Sequence, residues 1–170
     1  MLFSTSLYSA VLVLSAASVS GPEDFTNGPA IDDYGMAAEV AGATSLPAGI
    51  EFHVSFDTAT GSEAGVLNPT LRSAARFINM HARAGIDSNR IEVAVVVHGK
   101  AVHDVSGEAS HSAGLVAALI DHGVSIIVCG QSAAYYDIAT SDLLPGVEMA
   151  LSAMTAHALL QQLGYTLNPF

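Results

Sequence analysis

The sequence predicts an α/β fold in which helices cover both faces of a mainly parallel sheet of about five strands. Strand-like and helix-like runs alternate along the chain, as crossover connections between parallel strands require. Two of the strand-like runs, residues 91–97 and 124–129, are almost wholly apolar and β-branched, which is typical of strands buried on both faces. The 170 residues, 51% hydrophobic and 12% charged, suit one globular domain.

The first 20 residues differ from the rest of the chain. They carry no charged side chain, and the apolar stretch at residues 7–17 is too short to span a bilayer comfortably. Small residues follow this stretch, as they do at a signal-peptidase site. We therefore expect a cleaved export signal over residues 1–20, no stable membrane anchor, and a periplasmic or secreted mature protein. The alternative is a buried first strand or helix.

Residues 21–49 form a second distinct segment, here called the arm. Its charged residues are all acidic, and Gly, Pro and Ala interrupt any period, so we expect an extended arm ahead of a domain at residues 50–170. Disorder is the alternative. Four apolar residues give the arm something to bury against its own domain or a neighbouring subunit: Ile31, Tyr34, Met36 and Val40.

The domain begins with an alternating strand at residues 51–56, followed by Asp57 and a loop rich in Thr, Gly and Ser. Asn68 and Pro69 are a cap and a first-turn residue for a helix over residues 69–84. We expect this helix to end at Gly85.

A basic face lies on this first predicted helix. Arg72, Arg76 and Arg83 fall on one side of it, with Asn79 between them, and they are three of only five basic residues. Such a face can bind an anion or an acidic neighbouring subunit. A solvated helix surface is the more ordinary interpretation.

The remaining elements follow the same alternation. The strand at residues 91–97 ends in His98, Gly99 and Lys100, and residues 100–111 are predicted to be a polar loop. The later predicted elements are a helix at 111–122, a strand at 124–129, a helix at 133–138 capped by Ser132, a strand at 147–151, a helix at 152–163 and a closing strand at 165–170.

Charge and motifs exclude several classes of function. The chain has 16 acidic and 5 basic residues and a net charge of −11, which disfavours nucleic acid as a partner. Its single cysteine cannot form an internal disulfide. The chain has no metal-ligand spacing and no phosphate-binding glycine loop, so we expect no metal and no cofactor.

Cys129 is the candidate reactive group. It ends a buried strand and precedes a helix, at the sheet edge where α/β proteins usually carry small-molecule sites. The amides at the start of that helix favour a thiolate. His98 ends the other buried strand at the same edge and is a candidate orienting or acid–base group. A strand-end cysteine is also often mere packing.

Four further residues at this edge are candidates for ligand binding, because they follow the two strand ends directly: Gly99, Lys100, Gly130 and Ser132. From about Phe52 onward the chain also resembles the DsrE/DsrF-like family, which includes YchN-like and sulfur-relay proteins. The resemblance rests on residues 75–80, 95–101, 123–129, 144–147 and 160–165.

The resemblance implies a flavodoxin-like three-layer sandwich that assembles as a homo-oligomer, commonly a trimer or hexamer. In sulfur-relay members a cysteine after the hydrophobic strand carries a persulfide between donor and acceptor proteins, and Cys129 occupies the matching position. The predicted export departs from the relay members, which work in the cytoplasm. Two functions follow: sulfur transfer on Cys129, or a non-catalytic oligomeric module that binds a small ligand or a partner.

Overall fold

The computed structural model describes residues 21–107 and 110–170. The strands of its one sheet are β1 (Phe52–Thr58), β2 (Ile91–Val97), β3 (Ser125–Cys129), β4 (Glu148–Ala150) and β5 (Thr166–Asn168). Their order across the sheet is β4-β3-β2-β1-β5, and every neighbouring pair is parallel. The helices are α1 (Pro69–Arg83), α2 (Ala113–Asp121), α3 (Gly130–Tyr135) and α4 (Ala153–Gln162).

The sheet separates two apolar cores. Residues of α1, α2 and α3 pack with alternate strand residues such as Val95 on one face. On the other face, Ala94 and Val96 pack against Ala156 and Leu160 of α4. Odd-numbered residues of β2 therefore face the larger core, and even-numbered residues face α4. This arrangement confirms the predicted parallel α/β sandwich with helices on both faces.

Side-chain caps fix the starts of two helices. Asn68 begins α1, and its side-chain oxygen accepts hydrogen bonds from the backbone N–H groups of Thr70 at 3.0 Å and Leu71 at 3.3 Å. Ser152 begins α4 in the same way, accepting from Thr155 N at 3.1 Å. Both caps satisfy backbone donors that have no partner inside the helix. Both agree with the sequence-based prediction.

The segment after β2 is not the polar loop predicted for residues 100–111. A 3₁₀ helix spans Gly99–Val105 and is largely buried. The carboxylate of Asp104 accepts hydrogen bonds from the backbone N–H and hydroxyl of Ser62, at 2.9 and 2.6 Å, and from Asn68 Nδ2 at 2.7 Å. The polar sequence suggested an exposed loop. The prediction was wrong because the hydrogen bonds to Asp104 allow this polar segment to be buried.

The two outermost strand predictions also need correction. The strand predicted at residues 51–56 extends to Thr58, so Asp57 lies inside β1 rather than in the loop after it. The closing strand predicted at residues 165–170 is shorter, and only Thr166–Asn168 pair with β1.

Asn79 joins the arm to α1. Its side chain is fully buried, with 0% exposure. Its Oδ1 accepts from the backbone N–H groups of Ala30 and Ile31, at 3.1 and 2.9 Å. Its Nδ2 donates to the carbonyl oxygens of Ile31, Tyr34 and Gly35, at 3.0, 2.8 and 3.1 Å. One amide side chain therefore satisfies backbone groups of the arm that a neighbouring strand would otherwise satisfy.

Two arginines of the predicted basic face also hold the arm. Arg83 donates from Nη2 to the carbonyl oxygen and hydroxyl of Thr26, at 2.9 and 2.6 Å. Arg76 donates from Nε to the carbonyl oxygen of Met36 at 3.0 Å. Only Arg72 of the three is exposed. The interpretation of this face as a solvated surface was wrong for Arg76 and Arg83, because both donate to backbone carbonyl oxygens of the arm.

The export signal predicted at residues 1–20 lies outside the described residues. A membrane-spanning helix needs about 20 predominantly apolar residues. The longest helix described, α1, has 15 residues. Within residues 21–107 and 110–170, no helix has the length and hydrophobicity to cross a bilayer.

Candidate functional site

The thiol of Cys129 lies where two helices begin. The residue ends β3 and occupies the N-cap position of α3, and it is 6% exposed. The groups that act on its ionisation are the Ser132 hydroxyl and the backbone N–H groups of Ser132, Ala153 and Gln131. Ala153 is the first residue of α4. Polar groups from the starts of both helices therefore lie near the sulfur atom.

These donors set the ionisation of the thiol. Burial raises the pKa of Cys129, because it removes water from the charged form. The nearby polar groups of Ser132, Ala153 and Gln131 together lower it by more, so that the pKa lies below its ordinary value of 9.0. A thiolate that is stabilised by fixed donors is the nucleophilic form of cysteine.

Ser132 has a different role from the helix cap predicted for it. The helix begins two residues earlier than Ser132, at Gly130, and Cys129 is its N-cap. The Ser132 hydroxyl oxygen instead accepts a hydrogen bond from the backbone N–H of Gly99 at 3.0 Å. The same hydroxyl is among the groups that lower the pKa of Cys129.

Gly99 and Gly130 allow close approaches of the backbone. Gly99 has a φ of +53°, and a Cβ added there would lie 2.6 Å from the carbonyl oxygen of Ala59. A Cβ on Gly130 would lie 2.7 Å from the carbonyl oxygen of Ala150 in β4. Lys100 is exposed. The two glycines thus bring neighbouring strand ends together around the thiol, and Gly99 also orients Ser132.

A carboxylate and two imidazoles meet on the same face of the sheet. The two oxygens of Asp57 each contact one imidazole: Oδ2 lies 3.1 Å from Nε2 of His98, and Oδ1 lies 2.7 Å from Nε2 of His157. Asp57 belongs to β1, His98 directly follows β2, and His157 lies on α4. We call these three residues the Asp57 cluster.

The position of His157 in this cluster was missed from the sequence. The available signal is its place one helical turn after Ala153, because residues four apart lie on one face of a helix. Since Ala153 acts on the pKa of Cys129, His157 lies on the side of α4 that faces the strand ends. The position of Asp57 in the sequence does not identify which histidines it contacts.

Two open clefts adjoin this edge of the sheet. One, of about 490 Å³, extends from Asp57 along residues 58–63 to Pro69 and Thr70. The other, of about 450 Å³, lies beside Gly130, Gln131 and residues 149–151. Within the described part of the chain, no group of three or more His, Cys, Asp and Glu side chains could hold a metal ion.

Comparison with known proteins agrees with this architecture. Among solved structures the chain is similar to a protein of unknown function from Methanobacterium thermoautotrophicum, with 22% identity and a TM-score of 0.55. It is also similar to the YchN protein from E. coli, with 17% identity and a TM-score of 0.52. Each similarity covers 71% of this chain and 100% of the other, and at these identities it supports the fold alone.

Sequence comparison identifies the family. No curated protein matches the chain. A profile of the DsrE/DsrF-like family matches residues 52–169. This range contains β1–β5 and α1–α4 and leaves out the arm. Because that match spans most of the sequence, this protein belongs to the DsrE/DsrF-like family.

Proposed function

We propose that Cys129 accepts sulfur from a donor as a persulfide and passes it to an acceptor thiol. The observation that supports this most strongly is the position of the thiol at the starts of α3 and α4, where Ser132, Gln131 and Ala153 lower its pKa. A persulfide carrier must be a thiolate when it attacks and must leave as a thiolate when it unloads. A site that stabilises the thiolate favours both steps.

The proposed reaction balances without an added oxidant. In loading, the Cys129 thiolate attacks the outer sulfur of a donor persulfide, R–S–S–H. A bond forms between Sγ and that sulfur, the donor S–S bond breaks, and the donor leaves as a thiolate that takes up a proton. In unloading, an acceptor thiolate attacks the outer sulfur and Cys129 departs as a thiolate.

The test is the mass of the protein after incubation with a low-molecular-weight persulfide. We expect wild type to gain one sulfur atom and Cys129→Ser to gain none, with an unchanged fold by circular dichroism. Ser106→Ala is a matched control, because its hydroxyl donates to the Val102 carbonyl oxygen and does not contact Cys129. Equal sulfur uptake by wild type and Cys129→Ser would contradict the proposal.

A binding module is the second candidate function. It is favoured by the low exposure of Cys129, 6%, and by the open cleft of about 450 Å³ beside Gly130 and Gln131. In this alternative the thiol is packed and the cleft holds a small ligand or a partner segment. Thiol reactivity separates the two, since a packed cysteine reacts with an alkylating reagent only when the protein unfolds.

The proposed assembly is a homo-oligomer, a trimer or hexamer. It is supported by exposed apolar residues on and around α4, which monomers seldom expose in one area: Leu151, Met154, Leu159, Leu163 and Leu167. Sedimentation of wild type and Leu163→Asp tests it, because a charge in a subunit interface weakens association. A wild type that sediments as a monomer would contradict it.

We also propose that the protein is exported and acts in the periplasm or outside the cell. The support is the uncharged apolar segment at residues 1–20. Mass spectrometry of the protein from its native host tests this, since cleavage removes about 20 residues. An intact amino terminus and a cytoplasmic location would contradict it.

A further inference from the structure

The sulfur transfer proposed above gives a role to Cys129 and none to the Asp57 cluster. Its side chains come from β1, the end of β2 and α4, and all are partly buried: 36% exposed for Asp57, 33% for His98 and 21% for His157. Each oxygen of the one carboxylate is occupied by an imidazole nitrogen. This geometry fixes both rings in position.

The cluster also fixes which nitrogen of His98 can accept a proton. Burial raises the pKa of Asp57, but the hydrogen bonds and charges of His157 and His98 lower it below 3.8, so this carboxyl is ionised near neutral pH. An ionised carboxylate only accepts hydrogen bonds. Nε2 of His98 must therefore carry a hydrogen, which leaves Nδ1 as the nitrogen that gains or loses a proton.

His98 and Cys129 are neighbours across adjacent strands. Val97 of β2 pairs with Val128 of β3, and the backbone is extended at both residues that follow. Each therefore points to the face opposite its predecessor, towards α4. Adjacent strands lie about 4.8 Å apart. His98 thus contacts Asp57 on its β1 side, and the register of the strands places the backbone of Cys129 on its β3 side.

Helix α4 links the two groups. The backbone N–H of Ala153 lowers the pKa of Cys129, and His157, one turn later, contacts Asp57 Oδ1 at 2.7 Å. Titratable groups at this edge thus include Asp57 on β1, His157 on α4 and Cys129 at the end of β3.

We propose that His98 transfers protons in the sulfur transfer on Cys129, and that Asp57 and His157 are the residues that position it. The inference rests on the proposed function. In unloading, Nδ1 of His98 takes the proton of the acceptor thiol, whose sulfur attacks the outer sulfur of the Cys129 persulfide. The Sγ–S bond breaks and Cys129 leaves as a thiolate. In loading, the protonated His98 returns a proton to the departing donor thiolate.

The experiment measures single-turnover unloading of persulfide-loaded protein to two small thiols near neutral pH. One acceptor is weakly acidic, and the other is acidic enough to be a thiolate already. With the first, we expect His98→Gln to slow unloading by roughly 100-fold, since a general base contributes at least that much. We expect Asp57→Asn and His157→Gln to slow it roughly tenfold. With the ionised acceptor, all variants should match wild type.

Two controls separate positioning from structure. Asp57→Glu keeps a carboxylate and should recover part of the rate lost in Asp57→Asn, and the exposed His111→Gln should change nothing. Nitrogen-15 spectra of the imidazoles should place the hydrogen of His98 on Nε2 in wild type, and Asp57→Asn should lower that preference.

Failure of this proposal differs from failure of the proposed function. If wild type takes up no sulfur on Cys129, both fall. If wild type loads sulfur but the variants unload as fast as wild type to both acceptors, only the role of the Asp57 cluster is overturned. A defect that is equal for both acceptors also overturns it, because it would reflect altered structure rather than proton transfer.

Discussion

The backbone N–H of Gly99 donates a hydrogen bond of 3.0 Å to the hydroxyl oxygen of Ser132. The bond joins the end of β2 to the first turn of α3 and holds the Ser132 hydroxyl, which lowers the pKa of Cys129. Gly99 has no side chain, but its backbone N–H thereby positions the Ser132 hydroxyl near the thiol. Gly99 and Ser132 were predicted to bind a ligand. In the structure Ser132 acts on the pKa of Cys129, and Gly99 positions Ser132.

The first prediction concerns Ser132→Ala. The change removes the side-chain donor to Cys129 and leaves the backbone donors in place, so it raises the pKa of the thiol. A hydrogen bond to a charged group is worth about 1.5–3 kcal/mol, so its loss lowers the thiolate fraction by roughly tenfold or more, and alkylation near neutral pH should slow by at least about tenfold. The measurement is the alkylation rate against pH, with Ser106→Ala as control. An unchanged profile would mean that Ser132 does not act on the thiolate.

The sequence predicts the sheet well because its signal is local. Continuous β-branched runs mark β2 and β3, and Asn68 and Ser152 are recognisable caps. Cys129 and His98 are placed at one edge by parallel topology alone. The alternation of residues across the sheet then follows from the strand assignment.

The contacts that build the site are not local in sequence. His157 meets Asp57 across 100 residues because α4 crosses from β4 towards β5, and Ala153 lies near Cys129 because β4 pairs with β3. The arm is similar: Asn79 and Ile31 are 48 residues apart. No periodicity within one segment reports such pairs, because each depends on how two elements pack.

Gly99→Ala tests the close approach at the end of β2. Alanine at a φ of +53° costs about 1–2 kcal/mol, and its Cβ would lie 2.6 Å from the Ala59 carbonyl oxygen. With overpacking added, the free energy of unfolding should fall by roughly 2–4 kcal/mol. Alkylation of Cys129 should also slow, because a shift of the backbone at residue 99 moves the N–H that donates to Ser132.

Gly85→Ala is the matched control, measured in the same urea titrations. Its φ is +85°, but an added Cβ meets nothing within 4 Å. It should therefore lose only the conformational part, about 1–2 kcal/mol, and leave alkylation unchanged. Equal losses in the two variants would show that the contact with Ala59 is unimportant.

Asn79→Ala should free the arm from α1. The change leaves the backbone N–H groups of Ala30 and Ile31 and three carbonyl oxygens without their partner. We expect a loss of about 2–3 kcal/mol in the free energy of unfolding and faster proteolysis within residues 26–37. Arg72→Ala, on the same helix but exposed, is the control. Equal protease resistance of wild type and Asn79→Ala would contradict this account.

The last prediction is the pH dependence of stability that Asp57 contributes. Because its pKa in the folded protein lies below the ordinary 3.8, folding favours the ionised carboxylate. The contribution is complete above the unfolded pKa and is lost as pH falls through the folded pKa. Wild type should exceed Asp57→Asn in stability near neutral pH, by at most about 1 kcal/mol because the group is partly exposed, and the difference should vanish in acid.

Urea unfolding of both proteins between about pH 7 and pH 3 measures this difference. Asp121→Asn is a suitable control, because Asp121 is an exposed residue at the end of α2. Its stability should follow that of wild type across the range. If the curves of wild type and Asp57→Asn also stay parallel down to the most acidic point, the two imidazoles do not stabilise the ionised form of Asp57. The basis for a fixed His98 tautomer would then be lost as well.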